Sequence, residues 1–401
     1  MKTIREIFRI GYGPSSSHTM GPRKAAELFL AAYPNAAKYQ AHLYGSLSAT
    51  GKGHLTDAAI IDVIPSVEIV WHDEFLPFHP NGMRFCAWDT QDNMLDDWTV
   101  YSVGGGALEE DPDNSTFLIQ NSELPDIYPL SRLSDIKEYC DKMGWDYWEY
   151  VEHYEGKEIW DYLREVWQVM REAVERGLDH EGVLPGPLHL RRKAASYYIK
   201  VAGYKDNLRT RGLVFSYALA VSEENASGGK IVTAPTCGSC GVLPAVLYHT
   251  WRSRDFSETR ILHALATAGL IGNVVKENAS ISGAEVGCQG EVGVACAMAS
   301  GAVNQLFGGT LAQIEYAAEM GLEHHLGMTC DPVCGLVQIP CIERNAFAAA
   351  RALDSNMYAA FSDGTHNVTF DRVVDVMKQT GHDLPSLYKE TSQGGLAATY
   401  E

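Results

Sequence analysis

Between Val292 and Gly308 the chain reads VGVACAMASGAVNQLFG, almost uniformly small and apolar. A helix with one apolar stripe lies on a surface, whereas one that is apolar all round has to be surrounded. The segment therefore predicts a helix at the centre of a helical domain. With 401 residues and 46% apolar side chains, the chain has material for that core and for more than one average domain.

Elsewhere the chain has two textures. Between residues 42 and 103, short β-type runs such as Val67 to Trp71 and Trp98 to Val103 are broken by Gly and Pro, while Arg23 to Ala32 has a helical pattern. A polar, aromatic-rich region from Glu109 to about Asp146, with the turn signals Asp-Pro-Asp-Asn and Leu-Pro-Asp, suits a connection between domains. The expected organisation is a small α+β domain over residues 1–150 and a mostly α-helical domain over 151–401. In the second part, Ile159, Leu163, Val166, Met170 and Val174 form a stripe that stops at Gly177, read as the residue just past a helix C-cap. Phe370, Val373, Val374 and Met377 form another, ending at Gly381, and Thr310 is an N-cap for a helix carrying Leu311, Ile314 and Ala318.

Charge and composition narrow the functional classes. Thirty-two Lys plus Arg stand against 51 Asp plus Glu, a formal charge of -19, so nucleic acid and anionic membrane surfaces would be repelled. The start, Met1-Lys2-Thr3-Ile4-Arg5-Glu6, carries charges where a signal peptide needs an apolar run, and no uncharged apolar stretch is long enough to cross a bilayer. A cytoplasmic protein is expected, with neither nucleic acid nor membrane as partner. In that reducing compartment nine cysteines, clustered toward the C-terminal half, point to metal or catalytic work rather than disulfides.

Cys288, Cys330, Cys334 and Cys341 lie in Gly- and Pro-rich segments, and Cys237 and Cys240 form a C-x-x-C in another. Thiolates select zinc, copper(I) or iron-sulfur clusters. Cys237/Cys240 with Cys330/Cys334 would close a zinc tetrahedron, although the surrounding Glu, Asn, Lys and Ser suit a reaction site better than a structural staple. Any single cysteine reads equally well as a buried packing residue. Cys341 follows Pro340 at a helix N-terminus, where the dipole favours a thiolate and hence a metal ligand.

Four more segments carry polar chemistry. GYGPSSSHTMGP, Gly11 to Pro22, sets Ser15, Ser16, Ser17 and His18 before a helix, as an anion receptor or as an elaborate N-cap. YGSLSATGKGHLTD, Tyr44 to Asp57, carries Lys52 and His54 between glycines in an order that is not that of a P-loop. Lys230, after paired glycines, reads either as a pyridoxal phosphate Schiff base or as an ordinary lysine opening a buried element. KENASISGAEVGCQGEVG, Lys276 to Gly293, crowds polar groups around Cys288 that need partners or a ligand so close to an apolar run.

Taken in order, GPSSSHT, YGSLSATGKGH, YSVGGG, EGVLPGPL, NASISGAEVGCQGEVGVAC, TCDPV, PCIERNA and KETSQGGLA resemble the iron-sulfur-dependent L-serine dehydratases in their single-chain form, nearly end to end. The resemblance implies a small β domain ahead of a catalytic α domain, and deamination of L-serine to pyruvate and ammonia. It implies a 4Fe-4S cluster held by Cys288, Cys330 and Cys341, whose unanchored iron acts as a Lewis acid on the substrate hydroxyl. His18 and His54 are similar to family residues at the substrate site. On that basis His54 is chosen as the base that takes the α-proton, and the Ser15, Ser16 and Ser17 hydroxyls as the carboxylate receptor. Lys276, Asn278 and Ser280 flank Cys288 and are expected to contact substrate or support the site. No pyridoxal is needed, so Lys230 loses its Schiff-base role, and the family's habit implies a homodimer.

The sequence also departs from the family pattern. Many relatives carry Asn where this chain has Cys237 and a small residue where it has Cys334, so Cys237, Cys240 and Cys334 are not ligands by analogy. Many continue past GGLA into a tail whose cysteine reaches the open iron, whereas this sequence reads Ala397-Ala398-Thr399-Tyr400-Glu401. The expectation is either another cap, Cys334 or the terminal carboxylate, or a more oxygen-sensitive site.

Overall fold

The structure, a computed structural model, describes residues 1–110, 119 and 125–400. The expected Asp-Pro-Asp-Asn turn, the start of Leu-Pro-Asp and the terminal carboxylate lie outside the described residues. The N-terminal part alternates short elements: β1 (Ile10–Tyr12), α1 (Gly21–Ala32), β2 (Lys38–Leu43), α2 (Ser46–Thr50), α3 (Thr56–Val63), β3 (Val67–Trp71), β4 (Gly82–Trp88), β5 (Met94–Ser102) and β6 (Leu108–Glu109). Helices then dominate, beginning with α4 (Leu133–Met143), α5 (Tyr147–Glu155), α6 (Ile159–Asp179), α7 (Ala194–Val201) and α8 (Asp206–Ala226). After the short β7 (Lys230–Val232) come α9 (Val242–Arg254), α10 (Glu258–Asn278), α11 (Gly283–Val286), α12 (Val292–Leu306) and α13 (Leu311–Glu323). The chain finishes with α14 (Cys341–Ala360), α15 (Phe370–Asp383) and α16 (Gly395–Ala398). The expected α+β part followed by a mostly helical part is what the chain forms.

The N-terminal sheet has the order β3-β2-β4-β5-β6, with β2 and β3 parallel and the other neighbours antiparallel. Strand β2 alternates, so that Tyr39, Ala41 and Leu43 face inward while Lys38, Gln40 and His42 face out. On α1, Phe29 reaches down onto this inner face and stacks on Trp98, with ring centroids 6.2 Å apart. A second sheet, the antiparallel pair β1–β7, stitches the N-terminus to the helical part.

Every residue of α12 from Val292 to Asn304 is buried, as an all-round apolar helix requires. It packs against α9, α10, α13 and α14, and its small residues set the distances. A Cβ at Gly301 would lie 2.3 Å from Ile271 on α10, and one at Gly321 on α13 would lie 2.9 Å from the Ala297 Cα. Thr310 caps α13 as expected, in a capping box with Gln313.

Two expected helix ends are corrected. Helix α6 runs past Gly177 to Asp179, and α15 runs past Gly381 to Asp383. Both glycines serve packing: a Cβ at Gly177 would sit 2.3 Å from the Ala220 carbonyl oxygen on α8, and one at Gly381 would sit 2.6 Å from the Val286 side chain on α11.

The buried apolar residues form two main clusters. One, within residues 25–100, lies between α1, α3 and the sheet. The other joins Met1, Ile4, Ile7 and Phe8 to the helices from Tyr128 onward, including Tyr147, Tyr150 and Val151 on either side of residue 150. Among the described residues no helix is long and apolar enough to cross a membrane.

Candidate active site

The helical part supplies a group of thiols. Ser280 Oγ bonds Glu285 and accepts the Ser282 N–H at 3.0 Å, which bends the chain out of α10 into α11. A single 3-10 turn, Gly287–Gln289, then delivers Cys288 just ahead of α12. Cys330 is fixed by the C-terminal segment: its N–H donates to the Tyr388 carbonyl and its own carbonyl accepts from Glu390 N–H, both at 2.8 Å. Cys341 opens α14, as expected, and Asn345 one turn later ties that helix to the 236–241 loop by bonds to Gly238 O (2.7 Å) and Gly241 N (2.9 Å).

Cys288 Sγ, Cys330 Sγ and a Glu291 carboxylate oxygen all lie within 4.8 Å of one another. Glu291 Oε2 is 3.9 Å from Cys288 Sγ and 4.0 Å from Cys330 Sγ, and its Oε1 accepts from Thr236 Oγ1 at 2.8 Å. All three cysteines are buried. The Cys288 thiol and burial push the Cys330 thiol up, and burial followed by Cys288 pushes Cys341 up. Burial raises Glu291 as well. Arg344 faces these sulfurs but is engaged with the Thr329 carbonyl at 2.7 Å and Asp331 at 3.4 Å. A cation that enters among buried thiols draws them into the thiolate form, and a set of three soft donors fits iron-sulfur ligation.

The N-terminal part covers this group with two loops. Asn225 at the end of α8 donates to the Pro14 carbonyl at 2.8 Å, and a Cβ at Gly13 would come within 2.1 Å of its Oδ1, so only glycine passes there. The chain then makes a π-helical turn, Ser16–Met20, in which Ser15 Oγ accepts the His18 N–H at 3.0 Å. Thr19 Oγ1 donates to the His54 carbonyl (2.6 Å) and Thr56 Oγ1 to the His18 carbonyl (2.5 Å), locking the two loops together. The His18 and His54 rings end 4.5 Å apart, both buried.

Their partners assign their tautomers. His54 Nδ1 faces the Thr50 carbonyl at 3.1 Å and must donate to it, so the Nε2 lone pair is free. Ser46 Oγ donates to the Glu390 carbonyl at 2.8 Å and so accepts from His18 Nε2 at 3.0 Å; His18 Nδ1 then accepts from Ser17 Oγ at 2.8 Å. Burial lowers His54 to about 4 and His18 well below its ordinary value, so both rings are neutral. Glu390 lies between them and the thiols, with Oε1 3.6 Å from His18 Nδ1 and 3.9 Å from His54 Nε2. Burial, then the neighbouring Glu291 and Cys288, push its carboxyl well above the usual range.

Cys288, Cys330, Cys341, His18, His54 and the Ser15–Ser17 turn thus come together from distant parts of the chain. The recorded bonds of Lys276 and Asn278 lead elsewhere: Lys276 pairs with Glu6, and Asn278 donates to the Ser131 and Val274 carbonyls at 2.7 Å each. Cys237 Sγ lies 3.5 Å from Met20 Sδ, Cys240 is buried, and Cys334 is exposed on a turn. Lys230 opens β7 opposite Tyr12. Glu390, Glu291, Arg344 and Ser46 are participants that residue-by-residue reading did not single out, although each lies in a quoted segment.

A family model described as "Serine dehydratase alpha chain" matches residues 79–397, and one described as "Serine dehydratase beta chain" matches residues 3–64. The chain belongs to the serine dehydratase family. Relatives match along their whole length: L-serine dehydratase TdcG of Escherichia coli (strain K12) is 41% identical and L-serine dehydratase of Streptomyces coelicolor 40% identical, each over 98% of both chains. L-serine dehydratase of Helicobacter pylori is 36% identical over 99% of this chain and 98% of its own. In family terms, the beta-chain match carries His18, Ser46 and His54, and the alpha-chain match carries the three thiols and Glu390. The candidate site therefore draws on both matched segments.

Proposed function

We propose that this protein is an L-serine dehydratase that releases pyruvate and ammonia, working with a 4Fe-4S cluster on Cys288, Cys330 and Cys341. The observation that carries this reading is the meeting of three buried thiols with two neutral, buried histidines, in a chain whose full-length relatives bear that name. When bound, a cluster on three cysteines keeps one iron free of protein and supplies the Lewis acid that makes the substrate hydroxyl a leaving group. His54 Nε2, with its free lone pair, takes the α-proton. Loss of that proton and of hydroxide leaves the enamine 2-aminoacrylate, which tautomerises and adds water to give pyruvate and ammonia.

Ser15 and Ser17 are committed to the turn and to His18, so the Ser16 hydroxyl and the N–H groups of the turn are proposed to receive the carboxylate. Lys276, Asn278 and Ser280 are proposed to brace the α10–α11 turn that carries Cys288. A cytoplasmic setting belongs to the same reading and is supported by free cysteines throughout. A homodimer is supported by exposed apolar side chains on α7 and α14 and just beyond α14, such as Ile199, Phe347, Tyr358 and Phe361.

Anaerobic preparation with iron, acid-labile sulfide and pyruvate measured together tests the reading. Four irons and four sulfides per chain with pyruvate from L-serine are expected, with iron lost on replacing Cys288, Cys330 or Cys341 by Ser. His54→Asn should keep the iron and lose about 100- to 10,000-fold in turnover. Stoichiometric zinc without sulfide or pyruvate would sink the assignment.

A further inference from the structure

We propose that Glu390 is the receptor for the α-ammonium group of the substrate and sets the preference for an amino acid over a hydroxy acid. The proposal deepens the L-serine reading above and rests on it. Glu390 is only 5% exposed, and its Oε2 has no hydrogen-bond partner among the described residues. A buried carboxyl oxygen without a partner is costly unless a ligand completes it.

The surroundings define what that ligand must offer. Glu390 Oε1 faces His54 Nε2, which presents a lone pair, and His18 Nδ1, whose lone pair is already taken by Ser17. The space between them is thus bordered by the Glu390 carboxyl and the His54 lone pair and holds no cationic side chain among the described residues. Among the described residues no Lys or Arg pairs with Glu390, and the nearby Arg344 is held by Thr329 and Asp331. An alkylammonium group brings three N–H donors and the missing positive charge. Placed there, it leaves its Cα beside His54 Nε2, where the proton has to go.

The segment is also built to hold this side chain still. Glu390 has a left-handed backbone, φ 58°, that a residue with a Cβ seldom adopts. It is kept there by its N–H bond to Cys330 O and by Ser46 Oγ on its own carbonyl, each 2.8 Å. The carboxylate is thereby fixed to a thiol loop on one side and to a loop of the N-terminal part on the other.

The test compares L-serine with L-glycerate, which keeps the carboxylate and 3-hydroxyl but carries a hydroxyl in place of the ammonium. Wild type, Glu390→Gln and Glu390→Asp are prepared anaerobically, assayed for iron and sulfide, and titrated with each compound by the change in visible absorption and by inhibition. Glu390→Gln should keep its iron and sulfide, lose about 10- to 100-fold in affinity for L-serine, the range of one hydrogen bond to a charged group, and bind L-glycerate within about threefold of wild type. Glu390→Asp should recover part of the L-serine affinity. Equal weakening of both compounds, or a fall in iron in Glu390→Gln, would overturn the proposal by making Glu390 a structural or metal-holding group. A wild-type protein without iron, sulfide or pyruvate would overturn the L-serine reading itself, and this proposal with it.

Discussion

His54 is held with its proton on Nδ1 by the Thr50 carbonyl and is lowered to about 4 by burial. A base with that value stays unprotonated far into acid. From pH 8 to 5.5, kcat/KM for L-serine should therefore fall less than about twofold, whereas an ordinary imidazole base would lose about tenfold over the same range. Initial rates measured anaerobically across that window check this; a tenfold loss by pH 5.5 would remove His54 from the role of base. The same value acts on stability. The unfolded histidine binds its proton near 6.5 and the folded one only near 4, so this contribution is intact above pH 6.5 and is lost as pH falls through 4, amounting to about 3 kcal/mol at most. At this scale the cysteines and histidines stood out in the sequence because their chemistry is rare and their neighbours are polar, while the choice of Cys288, Cys330 and Cys341 among the thiols came from the family resemblance. Glu390 did not stand out, because its place depends on a backbone bridge between Cys330 and Lys389 that no local pattern announces.

At the scale of the element, periodicity located the helices well and glycine misplaced their ends. Gly177 and Gly381 both follow an apolar stripe, and a sequence reading takes such a glycine for a C-cap because it cannot see the helix that crosses there. The central helix escaped this ambiguity, since an apolar run without a polar face has one physical solution whatever its neighbours are. The packing role makes a prediction. Gly177→Ala gains helix propensity but drives a methyl group into the Ala220 backbone, so overpacking should win and destabilise the fold by about 1–3 kcal/mol. Gly203→Ala, where the nearest atom is 3.5 Å away, serves as the control and should change little. Thermal unfolding of the two variants checks this, and a stabilised Gly177→Ala would mean that α8 yields to the methyl group and helix propensity wins.

At the scale of the molecule, neither part contains a complete site. Met1, Ile4, Ile7 and Phe8 are buried with the helices rather than the sheet, and β1 pairs with β7, so the N-terminal loops are anchored to the helical part before the sheet is built. That interleaving was not legible in the change of texture along the chain, because texture reports local periodicity and not which core a segment joins. The histidine loop meets the thiol loop at one close approach. A Cβ at Gly53 would lie 2.4 Å from the Gly335 carbonyl oxygen and 2.9 Å from that of Cys334, both backbone atoms with little freedom to yield. Gly53→Ala should therefore push the 51–55 loop away from the 333–335 turn and carry the adjacent His54 with it. The thiols, fixed by α12, α14 and the C-terminal segment, would stay in place. Because a misplacement of about 1 Å costs up to about 100-fold in rate, the expected result is a 10- to 100-fold fall in kcat/KM with iron and sulfide contents unchanged. Iron analysis beside anaerobic kinetics separates the alternatives. Iron lost together with activity would mean that the N-terminal loops help to hold the metal group, and unchanged kinetics would mean that this contact does not set the distance between base and substrate.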